Sequence, residues 1–238
     1  MKTKIVYWSI GDAPLKDISL TAVIGNFDGV HLGHQKLIST ACQFAKSNGT
    51  QVAVITFDPH PRRYFRKNEP GFLLSDMIEK NRTLSVHGVE IIIHVYFNDA
   101  LRQLSPEQFV SHVLYPLGVC HLIAGTDFSF GRGREGNMPL LSGLAKKYNI
   151  QITDLSLEID NKSAIISSSR VRAALQAGRI DDAKEMLGRP PTICGTIEHG
   201  DKRGRLLNFP TANISLHDYQ VPAYGVYAVT ATIEKKIT

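Results

Sequence analysis

Cysteine is scarce: Cys42, Cys120 and Cys194 are the three such residues in 238 positions. An odd number at wide spacings makes no disulfide framework, and no Cys-x-x-Cys pair offers a metal site. A reducing compartment, the cytoplasm, is the expectation. Long apolar runs are missing too. No stretch approaches the roughly 20 residues that a membrane-crossing helix needs. The opening Met1-Lys2-Thr3-Lys4 leads into a strand-like Ile5-Val6-Tyr7-Trp8 and then into charged residues, which is no signal-peptide core. No block of Lys and Arg marks a nucleic-acid tail, and a net charge of +5 with a pI near 9.1 is only mildly basic. That balance suits a phosphate-rich small ligand, so neither a membrane nor a nucleic acid is expected as partner.

What is present is an ordinary globular composition, 43% hydrophobic and 21% charged, in a chain long enough for one large or two modest domains. Its most informative stretch runs from Val23 to His34. An apolar run ends at Gly25, a turn carrying Asp28 and Gly29 follows, and then Leu37, Ile38, Ala41, Phe44 and Ala45 recur at helical spacing. Strand, glycine turn and helix start together form a ready anion site, because the first turn of a helix presents unpaired N–H groups and the positive end of its dipole. His31 and His34 stand three apart there, on one face of that first turn.

The pattern then alternates. Residues 51–57, 89–95, 119–124 and 150–155 read as buried strands, and 75–86, 105–113 and 140–148 as helices. Such alternation predicts a parallel sheet with helices on both faces. Phe57, Asp58 and His60 fall where the second strand ends, the edge at which open parallel sheets bind ligands. The loop 125–137, with four glycines among Phe128, Phe130 and four charged side chains, is expected to be irregular; its two rings either cover a flat aromatic ligand or pack on the core. Ser167-Ser168-Ser169-Arg170-Val171-Arg172 opens another helix. One serine there suffices as a cap, and three beside two arginines predict a second anion site. Gly188-Arg189-Pro190-Pro191 marks a boundary, giving units 1–187 and 188–238. Beyond it, residues 192–198, 209–214 and 225–233 read as short strands.

These motifs resemble a known family. The run from Gly25 to His34 is similar to the GxFDGxHxGH signature of the nucleotidylyltransferases, in the form found in bacterial bifunctional riboflavin kinase/FMN adenylyltransferases. Thr56 to Pro61 resembles the family's TFDPHP segment, Gly125 to Gly136 its GxDFxFGxxRxG segment, and Ile166 to Arg172 its ISSSxIR motif with valine for isoleucine. Pro210-Thr211-Ala212-Asn213 resembles the PTAN motif of the riboflavin kinase module, with Asn208 where the family has glycine.

The resemblance implies an α/β, Rossmann-like nucleotidylyltransferase domain followed by part of a small kinase β-barrel, and the transfer of AMP from ATP to FMN with release of pyrophosphate. ATP would meet Gly25, Asn26, Phe27, Asp28, Gly29, His31, His34, Asp127, Ser168, Ser169, Arg170 and Arg172, with His31, His34 and Arg170 as the catalytic set. Flavin would lie by Phe57, Asp58, His60, Phe128 and Phe130. In the second module Gly200, Lys202, Gly204 and Arg205 would meet ATP, and Thr211 and Asn213 would hold magnesium and phosphate. Mg²⁺ is the implied cofactor, ATP and FMN or riboflavin the substrates, FAD the product, in a monomer or weak homo-oligomer. The barrel is expected to be cut short, and riboflavin kinase activity with it. Two rivals remain open on these residues: a nucleotidylyltransferase acting on another phosphate, and a flavin-responsive RNA-binding or regulatory paralogue.

Overall fold

β-Branched runs bounded by turn residues build the frame of the molecule. The computed structural model describes residues 2–15, 17–198 and 211–233. In chain order its first unit contains β1 (Lys4–Trp8), β2 (Leu20–Ile24), α1 (Leu32–Asn48), β3 (Gln51–Asp58), α2 (Pro61–Phe65), α3 (Met77–Val86), β4 (Ile91–Tyr96), α4 (Asp99–Arg102) and α5 (Pro106–Phe109). α5 widens into a π turn at Val110–Leu114; β5 (Val119–Gly125), α6 (Met138–Ala145), β6 (Gln151–Leu155), α7 (Ser168–Gln176) and α8 (Ile180–Leu187) follow.

The six strands form one parallel sheet in the order β1-β4-β3-β2-β5-β6. From β2 the chain steps one way to β3 and β4 and later the other way to β5 and β6, so the topological switch lies between β2 and β5. The carboxyl ends of these two strands border the crevice in which such sheets bind ligands.

Successive side chains in a strand point to opposite faces, and here both faces are covered. Ala22, Ile24, Ile55, Ile93 and Leu122 pack with Phe109, Val113 and Leu141 on one side. Val23, Val54, Ile92 and Ile123 meet Ile38, Ala41, Ala45 and Leu84 on the other. Each fully buried Leu or Ile contributes about 1.5–3 kcal/mol by its removal from water. A third cluster, with Leu74, Ile166, Val171, Leu175, Met186 and Leu187, joins α7 and α8 to the segment before α3.

Local signals explain the helix starts. Asp76 caps α3 by accepting from the Glu79 N–H at 2.7 Å. Ser105 and Gln108 form a reciprocal capping box ahead of Pro106. The loop 125–137 is less irregular than its composition suggests: Arg132–Arg134 make a 3₁₀ turn, and Phe130 and Gly136 exchange backbone hydrogen bonds.

Past α8, β7 (Ile197–Glu198) and β8 (Asn213–Ile214) form a two-stranded antiparallel ribbon. The strands expected over 192–198 and 209–214 are thus realised as two paired residues each, 209 and 210 lying outside the described residues. The strand expected at 225–233 is not formed: those residues take no regular structure, and Val226, Val229 and Ile233 stand exposed, with no partner strand among the described residues to supply ladder bonds. The chain also returns to the first unit. Asp218 accepts the N–H groups of Phe72 and Leu73 at 2.7 and 2.8 Å and pairs with Arg63. A Cβ on Gly71 would lie 2.3 Å from the Tyr219 carbonyl oxygen, so only glycine permits that approach.

Candidate active site

The site is built on the turn between β2 and α1. Phe27 and Val30 have φ values of +49° and +43°, left-handed backbone that bulky residues rarely adopt. Cross-links from five other segments hold the turn in this shape. The Asn26 carbonyl accepts from Lys80 Nζ at 3.0 Å and Thr56 Oγ1 at 3.2 Å. The Asp28 carbonyl accepts from Ser168 Oγ at 2.9 Å, that of Gly29 from Arg189 Nη2 at 2.9 Å, and that of Val30 from Gln35 Nε2 at 2.9 Å. The Gly29 N–H donates to Ser75 Oγ at 3.1 Å. A Cβ on Gly29, at φ +79°, would come within 2.9 Å of Leu74 Cδ1.

His31 is the N-cap of α1, its Nδ1 accepting from the His34 N–H at 3.4 Å. The two rings stack, centroids 3.7 Å apart and planes 18° from parallel, and His34 also leans on Phe27 at 4.9 Å. His34 Nδ1 is buried without a hydrogen-bond partner. Burial, with the Arg172 charge adding to it, lowers the His31 pKa to about 4. Burial first, then His31 and Lys80, hold His34 well below its usual value. Both imidazoles are therefore neutral near pH 7, hydrogen-bonding groups and not fixed charges.

The depressed value predicts a pH dependence of stability. Between pH 6.5 and 4 the unfolded chain carries a proton on residue 31 that the folded chain rejects. Stability from this group is therefore whole above pH 6.5 and declines as pH falls toward 4. Its size is on the order of 3 kcal/mol at about 1.4 kcal/mol per pKa unit. Urea unfolding at pH 7.5, 6 and 5 should show a shallower decline for His31→Gln than for the wild type; parallel declines would refute the assignment.

Asp28 is held by partners within the protein. Only 1% exposed, its carboxylate pairs with Arg172 Nη2 and accepts the N–H groups of Leu74 and Ser75 at 2.8 and 3.2 Å. Arg172 Nε also donates to the Phe72 carbonyl at 2.7 Å. Phe27, at 0% exposure, is packed behind His34. Both are engaged within the protein, Asp28 through its polar partners and Phe27 through packing. Gly25 and Asn26 contribute backbone, and a Cβ on Gly25 would touch the Phe27 ring at 3.4 Å.

At the start of α7 the three serines separate. Ser167 is the cap, accepting from the Arg170 N–H at 3.4 Å, Ser168 reaches across to the Asp28 carbonyl, and Ser169 is exposed. Arg170 is drawn away from the histidines: it pairs with Asp160 at 2.6 Å and donates to the carbonyls of Ala164 and Ile165 at 2.9 and 2.8 Å. Residues two apart on a helix do not share a face, and Arg170 and Arg172 take different partners. In this arrangement Arg170 staples the 159–166 loop.

The same sheet edge carries the remaining candidates. Asp127 lies exposed just past β5, across the switch from His31. Phe57 meets Phe97 edge to face at 6.0 Å, and Tyr64 and Phe65 pack on the same Phe97. His60 caps α2 through Nδ1 and lies against Phe72 at 5.1 Å; burial, then Lys80, Arg172, Arg62 and Arg63, lower its pKa to about 3. The Asp58 carbonyl accepts from the Phe97 N–H at 2.8 Å. Phe128 is half-buried and stacks on Phe130 at 5.6 Å. Phe130 itself is buried in the core against Phe109, the packing alternative for its ring.

Sequence reasoning overlooked Phe72, ringed by the guanidinium groups of Arg62, Arg63 and Arg172 at 4.5 to 5.4 Å, and also Tyr64, Phe65, Phe97, Ser75 and Lys80. Lys80 left a signal: it shares with Thr83 and Leu84 the buried face of α3, where a lysine is out of place.

In the second unit Thr211 and Asn213 are exposed, Asn213 pairing in β8, while Gly200, Lys202, Gly204 and Arg205 lie outside the described residues. Among the described residues no cluster of three or more His, Cys, Asp or Glu could hold a metal ion, and no helix is long and apolar enough to cross a membrane.

A parallel sheet whose switch point receives two helix starts, one bearing stacked histidines and the other serines, defines a nucleotide-binding α/β enzyme. Residues 15–170 match the model of the family described as FAD synthetase, and residues 187–238 that described as riboflavin kinase. A bifunctional riboflavin kinase/FMN adenylyltransferase of Bacillus subtilis is 42% identical over 217 residues, which cover 90% of this chain and 68% of the relative. A protein of the same name from Listeria monocytogenes is 41% identical over 238 residues, covering 96% and 73%. A solved structure described as a macrolide-efflux protein from Streptococcus pneumoniae superposes with a TM-score of 0.79 at 28% identity, over 93% of this chain and 73% of that one. The chain belongs to the bifunctional riboflavin kinase/FMN adenylyltransferase family.

Proposed function

We propose that the first unit transfers AMP from ATP to FMN, forming FAD and pyrophosphate. The observation that carries this reading is the convergence of two helix starts on one crevice, linked by the Ser168 hydroxyl on the Asp28 carbonyl and by the Arg172–Asp28 pair. Helix N–H groups and neutral imidazoles there suit the charge that develops when a phosphate oxygen of FMN attacks the α-phosphorus of ATP and pyrophosphate leaves. Transfer of this kind needs alignment and charge stabilisation more than covalent help. The FMN phosphate is already ionised near neutral pH and requires no general base.

In this reading His31 and His34 hydrogen-bond the triphosphate, Ser169 and the first N–H groups of α7 hold its outer end, and Asp127 borders the nucleotide. Phe57, Asp58, His60 and Phe128 form the flavin side, joined by Phe97 and Tyr64 from the same edge. A magnesium ion would arrive with ATP: Asp28 is engaged by Arg172, so phosphate oxygens and water would supply its ligands and its charge would neutralise the triphosphate. We assign the unit boundary to 187/188, the compartment to the cytoplasm, and the assembly to a monomer or weak homo-oligomer.

The test is a single incubation with ATP and Mg²⁺ and either FMN or riboflavin, with products separated. FAD and pyrophosphate from the FMN arm are expected. No FAD there would overturn the reading, and FMN from the riboflavin arm would assign kinase activity to the second unit, with Thr211 and Asn213 as its candidate magnesium and phosphate residues.

A further inference from the structure

One buried cation in this site has no part in the reaction as described. Lys80 is 7% exposed, the buried lysine among the described residues, and lies on α3 behind the histidine turn. An ammonium is costly to bury unless it is paired. Here its hydrogen bond goes to a neutral partner, the Asn26 carbonyl at 3.0 Å, and the carboxylates of Asp28 and Asp58 act on it from nearby. Burial outweighs those carboxylates and lowers its pKa. Three imidazoles from three elements feel its charge: His34 of α1, His60 at the head of α2, and His94 of β4.

A fold seeking only stability would place an apolar side chain here, since Thr83 and Leu84 on the same face are buried and a well-packed apolar residue often equals or exceeds a buried charge in stability. The partner it holds is informative. Asn26 precedes Phe27, the first residue of the turn with left-handed backbone, and its carbonyl is gripped by two donors, Lys80 and Thr56. Fixing that carbonyl fixes the direction in which the chain enters the turn, and hence where α1 begins and where its histidines stand.

We propose that Lys80 is a positioning residue for adenylyl transfer, its buried ammonium clamping the Asn26 carbonyl so that the strained turn presents His31 and His34 to the triphosphate. The inference rests on the proposed AMP transfer. It assigns Lys80 no contact with substrate: the lysine acts through the turn.

The test compares wild type, Lys80→Met and Lys80→Arg in steady-state FAD formation from ATP and FMN, together with thermal unfolding. Lys80→Met is expected to lose about tenfold or more in kcat, as misplacement of reacting groups does, with KM for ATP moving less and with Tm unchanged or higher. Lys80→Arg, which keeps a cationic donor, should recover part of kcat. A merely structural lysine would give the reverse: a lower Tm with kcat intact in the folded fraction. If Lys80→Met does not fold, Lys80→Gln carries the same comparison, its amide keeping a donor for Asn26 without the charge, and its kcat is expected between those of Met and wild type where both fold. Wild-type kcat in whichever of Met and Gln folds overturns the proposal. An inactive wild type overturns instead the adenylyl-transfer reading on which it rests.

Discussion

FAD formation by the His31→Ala variant is expected to fall about a hundredfold or more, the usual loss when a preorganised hydrogen-bonding group is removed from the place where charge develops. The reasoning starts from burial. His31 sits 7% exposed at the head of α1, stacked on His34, with Nδ1 engaged by the His34 N–H. Its remaining ring nitrogen is thus held in a fixed direction at no further entropic cost. Because the ring is neutral in the free protein, its pKa being about 4, an incoming triphosphate does not meet a preformed cation; the anion itself raises the proton affinity of the ring, most strongly as pyrophosphate departs. The loss should therefore fall on kcat more than on KM for ATP. The N-cap is lost in the same substitution, at a cost of about 1 kcal/mol, so turnover must be compared at equal folded fraction. Near-wild-type turnover on that basis would remove His31 from the mechanism.

Arg172→Ala should destabilise the fold by about 3–5 kcal/mol, since it leaves the Asp28 carboxylate buried and unpaired. Asp28 and Arg172 are 1% and 11% exposed at the side chain, and the pair is joined by the bonds of Arg172 to Phe72 and of Asp28 to Leu74 and Ser75. Three segments far apart in sequence meet there: the β2–α1 turn, the stretch before α3, and α7. Losing the guanidinium should loosen all three and abolish adenylyl transfer with them. Urea unfolding checks the magnitude, and the double variant Asp28→Asn/Arg172→Gln checks the cause, because neutralising both partners should recover much of the stability. A loss below about 1 kcal/mol in Arg172→Ala would place the pair with ordinary surface ion pairs and refute the argument.

The comparison of Arg170 with Arg172 shows where the sequence misleads. The two are alike in type and two positions apart, and a motif read as a string gives both to the phosphates. On a helix they diverge, and their partners lie 140 or more residues away for one, Asp28, and ten away for the other, Asp160. The spacing gives them different neighbours, but which arginine meets Asp28 depends on where the β2–α1 turn has been carried. Phe128 and Phe130 make a similar case. Their alternation in a glycine-rich loop allows either ring to face a ligand, and only the contact with Phe109 assigns Phe130 to the core.

The amino-acid sequence by itself determined the parallel α/β architecture, through β-branched runs separated by helical periodicity, and the locations of the two helix starts, through glycine, histidine and serine at fixed offsets. These properties are local: they depend on backbone preference and on residues within a turn or two of one another. Tertiary structure alone decided that Asp28 is a buried counter-ion, that Arg172 rather than Arg170 answers it, and that Lys80, Phe72 and Phe97 come to lie against the candidate residues. Each of those outcomes depends on charges and rings brought together across the sheet, where burial makes an unmatched charge or donor costly and so dictates which distant groups must pair.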